Sequence, residues 1–135
     1  MEDIRFEDIL LGIFYYLPKG KRQFHYDAED INRFFYERRD KYPSVLGKKV
    51  FNDCGMFPKS EELNLTIANL TYCGFLGSWG IDFDPYEFSA KCRGYFEKSI
   101  KTKLSNEQHK NLKDLSGIFE KKFSLERILS ADRDF

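Results

Sequence analysis

Few of the side chains able to move protons, hold metals or attack electrophiles stand in workable patterns here. Only two histidines occur, His25 and His109. A nucleophile needs an activating base beside it. His25 sits among aromatic residues just before a helix start, and His109 lies in a lysine-rich stretch, so both read as structural or surface residues. The cysteines Cys54, Cys73 and Cys92 are odd in number and widely spaced, with no Cys-x-x-Cys. That pattern indicates neither a disulfide framework nor a zinc site, and reduced thiols are the default in a cytoplasmic protein. Asp82, Asp84 and Glu87 form an acidic cluster that could in principle hold a cation. The spacing is too short for an EF-hand loop and lacks its glycine, so a solvated turn is preferred. Gly74, Gly77 and Gly80 lie in a turn rather than at a strand-to-helix junction, which argues against a phosphate loop. No zincin, nucleophile-elbow or Walker pattern occurs. The expectation is a protein without catalytic residues, metal or cofactor.

The elements around these residues are read from periodicity. Phe6, Ile9, Leu10, Ile13, Phe14 and Leu17 follow the i, i+3, i+4, i+7 rule, and Pro18 and Gly20 end that helix. Residues 19–23 read as a basic loop. Asp27 caps a second helix with Glu29 and Asp30 in its first turn, and Tyr26 can staple onto Ile31. Ile31, Phe34 and Phe35 form its buried face, and Pro43 stops it near Tyr42. Residues 45–55 are irregular, with Val50-Phe51 as a short strand candidate. Ser60 caps a third helix whose stripe is Leu63, Ile67 and Leu70, and Gly74 ends it. From Phe75 to Phe88 the helical period gives way to alternation around glycines, which predicts a two-stranded β-hairpin with Asp84-Pro85 at a turn or bulge. Ser89 can cap a helix carrying Cys92, Phe96 and Ile100. Ser105 with Gln108 makes a capping box for a last helix with Leu112, Leu115, Phe119 and Phe123 on its apolar face.

Composition sets the class. The 135 residues are 41% hydrophobic and 33% charged, which is globular rather than disordered. Aromatic residues reach 17%, the mark of an aromatic-rich core. The N-terminal Met1-Glu2-Asp3 lacks the basic region of a signal peptide, and the run from Ile9 to Leu17 is too short to span a membrane. A cytoplasmic location is expected. The formal net charge is zero, from 22 basic and 22 acidic side chains. The charge is unevenly laid out: residues 19–49 carry a net +4, residues 50–90 a net −5, and residues 91–123 a net +5. Near-zero net charge also lowers the barrier to self-association, leaving a homodimer open.

Three helices followed by a hairpin is the winged helix-turn-helix plan, whose third helix enters the major groove in DNA-binding proteins. Base reading there uses Arg or Lys to guanine and Asn or Gln to adenine. The third helix offers Asn64, Thr66, Asn69 and Thr71 but no cation, and it begins with Glu61-Glu62. The hairpin adds Asp82, Asp84 and Glu87. These carboxylates would meet phosphates of the same sign, so electrostatics favours a basic protein partner. Trp79 stands alone at the predicted hairpin tip and is either an interface anchor or packed onto the helices.

The segment Gly55-Met56-Phe57-Pro58-Lys59-Ser60-Glu61-Glu62-Leu63, followed by Leu70 and Gly74-Phe75-Leu76, has a familiar pattern. It resembles the Gly-Pro-Phe-Ser-x-Glu-Leu, Leu-x-x-Leu, Gly-Leu-Ile pattern of small prokaryotic winged-helix proteins. Panacea-type antitoxin domains and the small middle components of bacterial three-component conflict systems are of this kind. It departs from the pattern at Met56 and at the shifted Pro58. The resemblance implies a partner-binding or toxin-neutralising role and transfers no catalytic residue.

The expected protein is thus a single α+β, mostly α domain over residues 1–135. It is winged helix-turn-helix-like, with a helical core and wing over 1–90 and two or three C-terminal helices over 91–135. Its expected function is non-enzymatic protein interaction in a bacterial or mobile-element regulatory or defence system. The expected partner surface comprises Glu61, Glu62, Asn64, Asn69, Trp79, Asp82, Asp84 and Glu87. The alternative is a DNA-binding regulator using Asn64 and Asn69 for bases and Lys21, Arg22, Arg38 and Arg39 for the backbone.

Overall fold

The computed structural model describes residues 4–18, 23–78 and 86–123. Helix α1 (Phe6–Tyr16) forms the spine. Phe6, Ile9, Leu10, Ile13, Phe14 and Leu17 are buried as their period predicts, and Leu11 and Gly12 are buried too, so α1 is covered on more than one side. Then follow β1 (Gln23–Phe24), α2 (Ala28–Glu37), the single turn α3 (Pro43–Leu46) and α4 (Glu61–Tyr72). Strands β2 (Leu76–Ser78) and β3 (Tyr86–Phe88), helix α5 (Lys91–Tyr95) and helix α6 (Asn106–Phe123) complete the order. Between α5 and α6 the chain runs through π-type turns over Phe96–Ile100 and a 3₁₀ turn over Lys101–Lys103. The class is therefore α+β, mostly α.

Local signals account for most helix ends. The Asp27 carboxylate accepts from the Asp30 N–H at 3.0 Å, and the Ser60 hydroxyl accepts from the Leu63 N–H at 3.2 Å. Ser105 and Gln108 cap each other's backbone, at 3.1 and 2.9 Å. Gly74 leaves α4 with φ at 84°. Its N–H donates to Thr71 O, and the next N–H, of Phe75, reaches back to Leu70 O at 2.8 Å. This is the Schellman arrangement, which needs a left-handed residue at that position.

Five expectations are corrected. Helix α2 ends at Glu37 rather than near Tyr42, and Val45 and Leu46, expected in an irregular stretch, belong to the turn α3. Residues 19–23 were expected as a loop, yet Gln23 and Phe24 form a strand. It pairs antiparallel with β3, Gln23 opposite Glu87 and Phe24 opposite Tyr86. The sheet is therefore not a lone hairpin but three strands in the order β1-β3-β2, with Leu76 opposite Phe88 and Ser78 opposite Tyr86. A two-residue strand is too short to show alternation, and its partner lies far along the chain. Val50-Phe51 is no strand: Val50 is exposed, and the β-bridge nearby joins Asn52 to Lys59. Ser89 is not the cap of α5; Ala90 holds that position without a side-chain bond. Trp79 to Pro85, which hold the predicted hairpin tip, the start of its second strand and the turn or bulge at Asp84-Pro85, lie outside the described residues, as do Lys21 and Arg22 of the loop.

The core is aromatic. Phe14 of α1 stacks on Phe88 of β3 with ring centres 4.4 Å apart and planes 6° from parallel. Phe24 of β1 and Phe119 of α6 close on the same ring at 5.6 and 6.1 Å. Phe119 also meets Phe34 of α2 edge-on at 5.8 Å. One cluster thus ties the sheet to three helices, and such pairs add about 0.5–1.5 kcal/mol each beyond area burial. Helix α6 lies close against α1: a Cβ on Gly12 would stand 2.6 Å from Leu112 Cδ1 and 3.2 Å from Phe96 Cε1.

One polar side chain joins α2 to α4 inside this core. Asn32 has no exposed surface. Its Oδ1 accepts from the Ser60 N–H at 2.8 Å. Its Nδ2 donates to Ala28 O at 2.8 Å and to Asn64 Oδ1 at 3.0 Å. Asn32→Ala strands the buried Ser60 N–H and is expected to lower unfolding free energy by about 1–3 kcal/mol, whereas Asn69→Ala on the exposed face should stay within about 0.5 kcal/mol. Urea unfolding of both variants reads the difference, and equal losses would refute the joint.

Candidate functional site

The site is built on the start of α4, and the expected surface residues there divide into two kinds. Glu62, though still exposed, folds back onto Lys49 and the start of α1. One of its oxygens lies 3.1 Å from Lys49 Nζ, and the same oxygen accepts from the Phe6 N–H at 3.0 Å. Lys49 is 7% exposed against 45% for Glu62, and its ammonium also donates to Ile4 O. A lysine so buried is held by partners that replace its water. Asn64, though exposed at its edge, is tied to Asn32. Glu61 and Asn69 point outward and are exposed. Glu87 is half-buried in the central strand. Trp79, Asp82 and Asp84 lie outside the described residues, so the structure does not bring the predicted set together as a whole.

The residues proposed for phosphate contact are also engaged internally. Arg38 donates to Phe34 O at 3.0 Å and lies over the Phe34 ring at 4.3 Å. Arg39 donates to Tyr36 O at 3.2 Å and lies over the Tyr36 ring at 4.3 Å. Both are half-buried, and Arg39 also lies over the Phe51 ring at 5.4 Å. Lys21 and Arg22 lie outside the described residues.

The opposite face of α4 carries apolar residues that the core stripe does not account for. Leu63, Ile67 and Leu70 point into the core. Leu65 and Tyr72, seven residues apart, stand outward with 63% and 93% of their surface exposed. Ala68 and Asn69 lie between them on the same helical face, and Glu61 begins it. The spacing 61, 65, 68, 72 is a second helical stripe in the sequence, separate from that of Leu63, Ile67 and Leu70. Met56, 94% exposed, precedes the helix in the connecting loop. No lysine, arginine or histidine occurs from Glu61 to Tyr72.

Among the described residues, no group of three or more His, Cys, Asp or Glu is placed to hold a metal ion. Cys54 and Cys73 are exposed, and Cys92 is buried with its thiol against Phe75 O at 3.3 Å. Burial pushes the Cys92 thiol up to about 11. His25 is exposed, and its N–H donates to Phe123 O at 2.9 Å. His109 is half-buried beside Tyr16. Among the described residues no helix is long and apolar enough to cross a membrane. Comparisons of the chain with models of known families, with curated proteins and with solved structures find no match.

The contrast between Glu62 and Glu61 is testable. Glu62→Gln removes the carboxylate that faces Lys49 and is expected to cost about 1–2 kcal/mol of stability. Glu61→Gln, one residue earlier on the solvent side, should change it by less than about 0.5 kcal/mol. Denaturant titration of the pair checks the assignment; an equal effect would place Glu62 among the surface residues.

Proposed function

We propose that this protein is a non-enzymatic winged-helix interaction module that docks a basic protein partner on the outer face of α4. The observation carrying this reading is the pairing of exposed Leu65 and Tyr72 with Glu61 on a helix free of cations. Large apolar side chains held outward on a rigid helix are the usual anchors of protein interfaces, with polar residues at the rim. A duplex-reading helix in that position would instead carry Lys or Arg for the phosphates, and α4 carries none. The element order supports the winged-helix part of the reading: helix, strand, two helices with the single turn α3 between them, then the strand pair β2-β3, with the first strand added beside it. The connection from Arg38 to Ser60 is longer than the 3–4 residue turn of a simple helix-turn-helix. The likeness of the segment from Gly55 to Leu76 to Panacea-type antitoxin domains and three-component conflict-system proteins points to a regulatory or defence setting in a bacterium or mobile element. The location that goes with this reading is cytoplasmic.

A DNA-binding regulator is the competing function. Fluorescence anisotropy with generic duplex DNA at low salt, repeated as salt rises, separates the two. The expected result is no binding. Tight binding whose affinity falls steeply with salt would count several phosphate contacts and overturn the protein-docking reading. A photo-crosslinking side chain at position 65 or 72 should capture one and the same protein in the native host, and Glu61→Lys should abolish the capture without lowering the melting temperature. Capture that survives Glu61→Lys and Leu65→Asp would place the interface elsewhere.

A further inference from the structure

A cleft of about 400 Å³ opens between the end of α1 and the first half of α6. It is lined by Tyr16, Lys101, Asn106, His109, Lys110 and Lys113. The volume lies within the range of small-molecule sites. The lining carries three ammonium groups and no carboxylate.

The floor is held in place. His109 Nε2 lies 2.8 Å from Lys101 O, which can only accept, so Nε2 carries hydrogen. Nδ1 lies 2.8 Å from the Tyr16 hydroxyl, which donates to it when the ring is neutral. Burial raises the Tyr16 hydroxyl above its ordinary pKa, against the pull of Lys101, so it stays protonated. Tyr16 and His109 are therefore spent on each other and on the backbone. What remains to face a ligand is a set of donors. Asn106 and Lys110 have no hydrogen-bond or ion-pair partner among the described residues, and Lys113 lies over the Tyr16 ring at 5.3 Å. Lys101 donates to the Tyr15 hydroxyl at 3.3 Å, and Glu97 is reached only beyond it, as the acceptor of that hydroxyl at 3.0 Å. Asn106, Lys110 and Lys113 fall at i, i+4 and i+7 on α6, so one helical face aims them together. The first turn of α6 adds the positive end of its dipole.

Lys101 feels the Glu97 carboxylate beyond the Tyr15 hydroxyl, but the three ammonium groups of the lining outnumber that one counter-charge, and an anion is drawn to the surplus. We propose that this cleft binds the polyphosphate chain of a free nucleotide or related small phosphoanhydride. Lys101, Lys110 and Lys113 would surround the chain and the Asn106 amide would donate to it, each bond being charge-assisted on the phosphate side. The site lies on α6 and the end of α1, distinct from the outer face of α4, and does not depend on the docking reading.

Isothermal titration of the full chain with ATP and, separately, with inorganic tripolyphosphate at low salt tests it. The expected result is a Kd of about millimolar or tighter. Lys110→Gln and Lys113→Gln, both at exposed positions, should each weaken binding by about tenfold. His109 ring resonances should shift on addition of ligand in the unmodified protein. Equal affinity for the two ligands means that the phosphate chain alone is recognised. Tighter ATP binding means that the nucleoside also contributes. Either result supports the proposal. No heat and no shift up to several millimolar, or binding indifferent to both lysine variants, overturns it. Duplex DNA held by these same lysines with no tripolyphosphate binding would overturn it too.

Discussion

The placement of α4 depends on the amide of Asn32. Apolar packing presses α4 toward α1 through Leu63, Ile67 and Leu70, but packing of this kind tolerates rotation and sliding. A hydrogen bond from a backbone N–H to a buried side chain does not. With Ser60 N–H and Asn64 both held by one residue of α2, the first turn of α4 has a fixed azimuth, and Leu65 and Tyr72 are turned to solvent as a result. Lys49 and Glu62 add a second joint from the other side, linking α4 to the chain entering α1. The outward face is thus set by inward polar contacts, and the two roles are distributed among neighbouring residues of the same helix.

This arrangement resolves an apparent excess of negative charge. The sequence places two glutamates side by side at the start of α4, and both complement the helix dipole. Only Glu61 offers its charge to an approaching partner, since Glu62 is matched by Lys49. Beside the end of α1, α6 and the turn before it gather lysines around the Tyr16–His109 pair. The protein carries no net formal charge, yet its charges are laid out unevenly, with no cation from Glu61 to Tyr72 and three lysines around the cleft beside α6.

The helices were legible because their signals are local. The stripe from Phe6 to Leu17, the caps at Asp27, Ser60 and Ser105, and the glycine at 74 are each contained within one or two turns, and each lies where the spacing places it. Strand β1 was not legible, since two residues become a strand only when β3, more than sixty positions later, supplies the ladder. The same reason explains the candidate site. Nothing near Glu62 or Asn64 in sequence says that Ile4, Phe6 and Asn32 converge on the start of α4. The outward stripe of Leu65 and Tyr72 was readable as periodicity, but a hydrophobic residue off the main stripe has no local mark that tells exposure from burial. The α6 cleft was beyond reach, because Tyr16 meets His109 only once α1 and α6 are packed.

The contact at Gly12 has a bearing on how such a chain can vary through descent. Leu112 fills the space that a side chain at position 12 would take, so the two sites share one volume. A methyl group at position 12 keeps the packing of α1 on α6 when the Leu112 side chain turns aside or gives way to a smaller residue, with Phe96 close by on the other side. In a set of related sequences, these positions, one hundred residues apart, would therefore tend to change together and reveal the α1–α6 contact to anyone reading the sequences without a structure.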